Sequence, residues 1–134
     1  MGEEKLKLDH IALASNSEEE SDKFFISLLD MNKVRNFEVS NDKMRQFFSV
    51  NERHNFVRYE NEDFSVEIVI TNEKDRVKDT FTHTCISVKN GLKLIEKATS
   101  MGYVTIKVPR DRDDGYYLFL KDAFGNLFEI KETS

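Results

Sequence analysis

Two histidines and two glutamates stand out in this chain because each sits inside strand-like apolar sequence. His10 lies in Leu-Asp-His-Ile-Ala-Leu, Glu67 in Val-Glu-Ile-Val-Ile, His83 in Phe-Thr-His-Thr-Cys-Ile and Glu129 in Leu-Phe-Glu-Ile. Side chains alternate between the two faces of a strand. His10 therefore points away from Ile11 and Leu13, Glu67 from Val66, Ile68 and Ile70, His83 from Thr84, Ile86 and Val88, and Glu129 from Phe128 and Ile130. The apolar parity suits packing against helices, so the four ligand-type side chains belong on the other sheet face, in a cavity or groove. A carboxylate inside Val-Glu-Ile-Val-Ile is costly to desolvate unless a cation or donor meets it. Two imidazoles and two carboxylates suit one divalent ion such as zinc, nickel, manganese, iron or cobalt. Four ligands in an octahedral shell leave two positions for a bidentate substrate with neighbouring oxygens, or for two waters. The chemistry expected is on hydroxycarbonyls or diols. Without Glu67, the other three would still form a usable His-His-Glu triad.

The elements that must carry these residues can be read along the chain. Residues 6 to 14 alternate as a strand, and Ser17 with Glu20 forms a capping box ahead of a helix over about 18 to 31. A strand over 33 to 39 follows. Met44, Phe47 and Phe48 then have helical spacing, predicting a short helix over 42 to 50 with those three as its core side. Strands over 56 to 60 and 64 to 71 flank the turn Asn61-Glu62-Asp63, and a charged link covers 72 to 79. The second half reads as a strand over 81 to 88, a helix over 91 to 101 closed by Gly102, and strands over 103 to 108, 116 to 121 and 127 to 131.

The halves look like copies. Each opens on a strand carrying a histidine, runs through a helix closing on Met31 or Met101, and ends on an apolar-Glu-apolar strand. The His-to-Glu interval is 57 in the first half (67 minus 10) and 46 in the second (129 minus 83). The excess of 11 (57 minus 46) is about one short helix, so a single inserted element reconciles the copies.

Composition sets the outer bounds. A length of 134 residues fits one domain, and 39% hydrophobic with 34% charged residues fits a globular chain ordered nearly throughout. The net charge of -5 is spread without a basic run, which argues against nucleic acid. No stretch approaches eighteen apolar residues and the start lacks a signal-peptide core, so no membrane association is expected and a cytoplasmic location is. The single cysteine, Cys85, has no partner for an internal disulfide or a CxxC motif.

Asp9-His10-Ile11-Ala12-Leu13, His83-Thr-Cys-Ile-Ser-Val88 and, above all, Lys121-Asp122-Ala123-Phe124-Gly125-Asn126-Leu127-Phe128-Glu129-Ile130 resemble the vicinal oxygen chelate superfamily, which includes glyoxalase I, bleomycin-binding proteins and ring-cleaving dioxygenases. The third segment is similar to the family's Asp-Pro-Asp-Gly-Asn-x-x-Glu ending, with Ala123 and Phe124 replacing the usual Pro and Asp. The resemblance spans about residues 6 to 132. It implies an α+β fold of two βαβββ modules, about 5–72 and 80–132, forming one domain over 1–134. In that fold a curved mixed sheet wraps a metal cleft with the helices outside. It also implies a homodimer acting on a small-molecule substrate, and a glyoxalase I-like ligand set of His10, Glu67, His83 and Glu129. The activity implied is that of a metal-dependent lyase or isomerase, with Glu129 as first candidate for the mobile base and Glu67 as second. Glyoxalase I usually has an arginine for glutathione four residues after its first ligand. Here that residue is Ala14, which sets glutathione in doubt. The alternatives are a non-catalytic, bleomycin-resistance-like binding protein and an iron-dependent ring-cleaving dioxygenase.

The remaining polar and aromatic residues have blander readings. Cys85 shares the His83 face and reads as a small buried filler. His54 reads as part of a solvated loop, and Arg58, Arg110 and Arg112 as surface charge rather than anion binders. Tyr116 and Tyr117 straddle a strand, so one of them faces the cleft. Parity alone does not say which.

Overall fold

The computed structural model describes residues 8–75 and 81–133. Its elements run β1 (Ile11–Ser15), α1 (Glu18–Asp22) continuing as a π-helical segment (Lys23–Leu28), β2 (Asn32–Val39), α2 (Asn41–Phe48), β3 (His54–Glu60) and β4 (Ser65–Ile70). The second half supplies β5 (His83–Val88), α3 (Gly91–Ser100), β6 (Thr105–Pro109), β7 (Tyr116–Lys121) and β8 (Leu127–Glu132). Two four-stranded mixed sheets result, ordered β1-β4-β3-β2 and β5-β8-β7-β6. In each, the first strand of the half pairs parallel with the last and the other pairs are antiparallel. The α+β architecture and its duplication are therefore as expected. The extra element of the first half is α2, inserted between β2 and β3. The corresponding link in the second half, between β6 and β7, is the bend around Asp113 and Gly115.

Local chemistry explains the helix ends. Ser17 accepts from the Glu20 amide, Ser40 from Lys43 and Asn90 from Lys93, each satisfying an N-terminal donor that the helix itself leaves unpaired. The first helix departs from the regular α-helix expected over 18 to 31. It widens into a π turn at Lys23 and finishes at Leu28. The wider turn lets the adjacent residues Phe24 and Phe25 both face inward, where each is almost fully buried. Phe25 stacks on Tyr59 of β3 at 4.9 Å and meets Phe128 of β8 at 6.3 Å, while Phe24 touches Tyr103 and Phe128. One helical segment thus joins the apolar faces of both sheets in a single core with Val57, Val66, Ile68, Leu118, Leu120 and Ile130.

Two further expectations need correction. The first strand begins at Ile11, so His10 lies one residue ahead of it, and residues 6 and 7 lie outside those described. So does the last part of the charged link, 76–79. In α2 only Met44 is buried; Phe47 and Phe48 are 64% and 52% exposed. The helix is too short and too peripheral to cover all three, and Phe48 reaches the sheet only at its edge, with its ring 6.4 Å from that of Phe56.

Candidate metal centre

The ligand-type residues come together as two pairs. In the first sheet His10 Nε2 lies 3.7 Å from Glu67 Oε1. In the second, His83 Nε2 lies 3.3 Å from Glu129 Oε1. The two pairs are built the same way. Glu67 is in register with Ala12 and Glu129 with Cys85, and in both sheets the histidine stands two residues before that partner, on the same face. The pairs are half-open: His10 and Glu67 side chains are 34% and 16% exposed, His83 and Glu129 39% and 23%.

Each imidazole is also tied at its other nitrogen. His10 Nδ1 is 2.7 Å from Asp9 Oδ1, and His83 Nδ1 is 2.9 Å from the Phe81 carbonyl oxygen. With Nδ1–H donated to an oxygen, Nε2, the atom that faces the glutamate, is the nitrogen that would offer its lone pair to a cation held between them. Two ligands at about 2.1 Å from one octahedral ion sit about 3 Å apart, so the pairs, at 3.7 and 3.3 Å, are within about 1 Å of the spacing of neighbouring ligands. The donor chemistry fits a divalent cation. Among the described residues, however, no group of three or more such donors converges. The reason lies in the core. Both sheets turn their apolar faces to the shared helix layer, so the two His–Glu faces are those directed away from it.

The face around Glu67 holds residues that sequence reading placed elsewhere. Arg58 is directly in register with Glu67, yet its Nε donates to Ser65 Oγ at 2.8 Å and its Nη2 to Asp9 Oδ1 at 2.9 Å, leaving Glu67 to His10. With a side chain only 20% exposed, Arg58 is a bonded member of the site rather than free surface charge. The bonds from His10 and then Arg58 hold the Asp9 carboxyl below the usual carboxylate range. Arg35 of β2 is in register with Arg58 on this face, and its guanidinium lies 4.3 Å from the Phe37 ring centre. Nothing in the sequence signals Arg35, because its position depends on a shift of register between Lys33 and Arg35.

On the second sheet, Tyr117 rather than Tyr116 shares the Glu129 face, with Phe119 opposite Glu129 in register. Tyr116 packs against the core. Cys85 is exposed beside Glu129 and so does not act as a buried filler; partial burial and then the Glu129 charge push its thiol pKa up. Arg110 and Arg112 line a concavity on this side with Tyr117, Glu129 and Lys131. His54 opens β3 and accepts no ligand role here; its Nδ1 is 2.8 Å from the Glu52 carbonyl oxygen.

Asn126 closes the motif that delivers Glu129. Asp122 Oδ1 accepts from the Phe124 and Asn126 amides, and Gly125 adopts φ 96°, a left-handed conformation that glycine alone takes without penalty. The buried Asn126 side chain donates to the Ala14 carbonyl at 2.8 Å, tying the β7–β8 turn to β1 in the other half.

A profile of the Glyoxalase/Bleomycin resistance protein/Dioxygenase superfamily matches residues 7–130. The chain belongs to this superfamily. Among solved structures, a glyoxalase family protein from Enterococcus faecalis is 15% identical with TM-score 0.69, the match covering 92% of this chain and 95% of that one. The fosfomycin resistance protein FosX from Mesorhizobium loti is 14% identical with TM-score 0.66, covering 96% and 92%. A variant of FosX from Listeria monocytogenes, solved with Mn(II) and 1S,2S-dihydroxypropylphosphonic acid, is 15% identical with TM-score 0.69, covering 96% and 92%. These likenesses establish the superfamily fold. No protein of curated function matches the chain. Among the described residues, no helix is long and apolar enough to cross a membrane.

Proposed function

We propose that the chain is a metal-dependent superfamily enzyme, of lyase, isomerase or transferase type, acting on a small molecule with vicinal oxygens. The observation that carries this is the repetition of one His–Glu pair, with Nδ1 tied and Nε2 presented, at equivalent register in both sheets. Duplication copies the strands, and in both copies the ligand-type side chains stand at the same cross-strand offset with the same ring nitrogen facing the glutamate.

One protomer supplies only half a ligand set on each side of its core, so the site is completed by a second copy. β1 and β5 are outer strands of their sheets, and His10 and His83 lie at or on them. Placing β1 of one protomer beside β5 of its partner unites the two sheet faces and brings His10, Glu67, His83 and Glu129 around one ion. A zinc, nickel, manganese, iron or cobalt ion bound there supplies Lewis acidity toward neighbouring substrate oxygens. The protein's own part is to present two fixed imidazoles and to move a proton through a carboxylate. Glu129, half-open beside exposed Cys85 and Tyr117, is the first candidate for that base and Glu67 the second. The Mn(II)-bound FosX structure supports a divalent ion in this fold, and no exposed basic run invites nucleic acid.

That no three-donor cluster forms among the described residues of one chain favours a second reading, a metal-free binding protein. Elemental analysis separates the two. The enzyme reading expects about one ion per chain, sharply reduced by His83→Ala. Metal-free wild-type protein, or metal content unchanged in the variant, overturns it.

A further inference from the structure

We propose that Arg35 and Arg58 form an oxyanion subsite beside the His10–Glu67 pair, so that the substrate is a small organic acid carrying a carboxylate, phosphonate or phosphate near its vicinal oxygens. This deepens the functional reading above and rests on it for the identity of the neighbouring centre.

Two observations support the subsite. The first is electrostatic. Arg35 and Arg58 are directly opposite on neighbouring strands and on the same face as Glu67. Like charges in that relation destabilise a sheet. The side chains lean apart: Arg58 toward Ser65 and Asp9 across β4 and β1, Arg35 along its own strand over Phe37. Among the described residues Arg35 has no ion pair, and the one carboxylate that meets Arg58, that of Asp9, is 80% exposed, so solvent weakens its hold on the guanidinium. Glu67, in register with Arg58, is turned to His10 instead. An anion entering between the two guanidiniums would neutralise both, in the forked geometry that arginine favours for such oxygens.

The second is the register itself. Asn32 pairs with Glu60 and Lys33 with Tyr59, so an unbroken ladder would set Val34 opposite Arg58. The shift between Lys33 and Arg35 passes over Val34, which is left exposed, and sets Arg35 there. A bulge costs ladder bonds and is retained where it re-aims a side chain. Here it converts an Arg–Val pair into an Arg–Arg pair next to the ligand pair, a change that weakens the sheet unless an anion uses it.

The test is titration of the full-length purified protein with methylphosphonate and with its neutral dimethyl ester, followed by amide NMR. Metal uptake is measured on the same samples. Wild type is expected to bind the anion and not the ester. Arg35→Gln and Arg58→Gln should each weaken methylphosphonate binding about tenfold or more. Arg53→Gln, the same charge change at an exposed pair with Glu38, should leave it unchanged. Without anion, Arg35→Gln should raise Tm by about 1–3 °C, because the repulsion is gone. Absence of anion binding in wild type, equal binding of the ester, or undiminished binding in Arg35→Gln overturns the subsite. Metal uptake that stays intact in Arg35→Gln while anion binding falls confirms the subsite as separate from the ligand set. Anion binding in a wild-type protein that takes up no metal sinks the metal reading and leaves the subsite standing.

Discussion

At the scale of single residues, the two halves present their histidines through unequal partners. His83 is oriented by a backbone carbonyl, which no substitution removes, whereas His10 is oriented by the Asp9 carboxylate. Partners of this kind fix the ring and raise its strength as a ligand, and their loss typically costs about 10–100-fold in metal affinity. Asp9→Asn is therefore expected to lower divalent-ion affinity by about that factor while leaving the far-UV circular dichroism unchanged; competition against a chromogenic chelator measures it. The pH dependence has a definite sign. Bonds from His10 and Arg58 depress the Asp9 carboxyl below its ordinary 3.8, so this contribution is present above that value and is lost only as pH falls through the lower folded one. The two His–Glu pairings were legible in the sequence because the repeat and the alternation of the apolar runs set these side chains apart from their neighbours, even though His10 lies one residue ahead of β1. Arg35 was not, since a one-residue bulge leaves no mark on composition or spacing, and Arg58 read as surface charge because its bonds to Ser65 and Asp9 depend on distant pairing.

At the scale of elements, the succession of strands and helices in each half followed from where the apolar runs and turns lay, and the interval difference between halves correctly demanded one inserted element. What failed was local. Amphipathic spacing placed Phe47 and Phe48 inside, but an eight-residue helix at a sheet margin buries only Met44. The helix over 18 to 31 concealed a π turn, because consecutive buried phenylalanines look like ordinary helical stripe in one dimension. The Asp122–Asn126 turn shows how an element positions chemistry without touching it. Its aspartate accepts two amides, its glycine reverses the chain, and its asparagine reaches Ala14 in the other half. Asn126→Ala leaves the Ala14 carbonyl and Asp122 short of a donor in a buried place, which costs about 1–3 kcal/mol. Urea denaturation should show that loss as a lower midpoint at unchanged slope; a midpoint within error of wild type would mean the tie between halves is dispensable.

At the scale of the whole molecule, duplication explains both the matching pairs and their separation. A gene-level repeat that folded each half into its own sheet would, in isolation, leave two apolar sheet faces uncovered. Phe24 and Phe25 solve this by serving both, and the price is that the His–Glu faces are directed away from the common core. In the dimer proposed above, a second copy would complete the ligand set, and its closed symmetry would create two equivalent centres. This arrangement makes a prediction that an in-chain site cannot mimic. In a mixed dimer of His10→Ala with His83→Ala, one centre carries both lesions, while the other combines the intact His10 of one protomer with the intact His83 of the other. Random exchange of equal amounts yields about half mixed dimers, so about a quarter of all centres should regain metal. Each variant alone should bind little. Recovery of metal binding on mixing, measured after denaturation and joint refolding, is the expected result. If the mixture binds no more than the mean of its components, the four residues do not meet across two chains, and the shared centre is wrong.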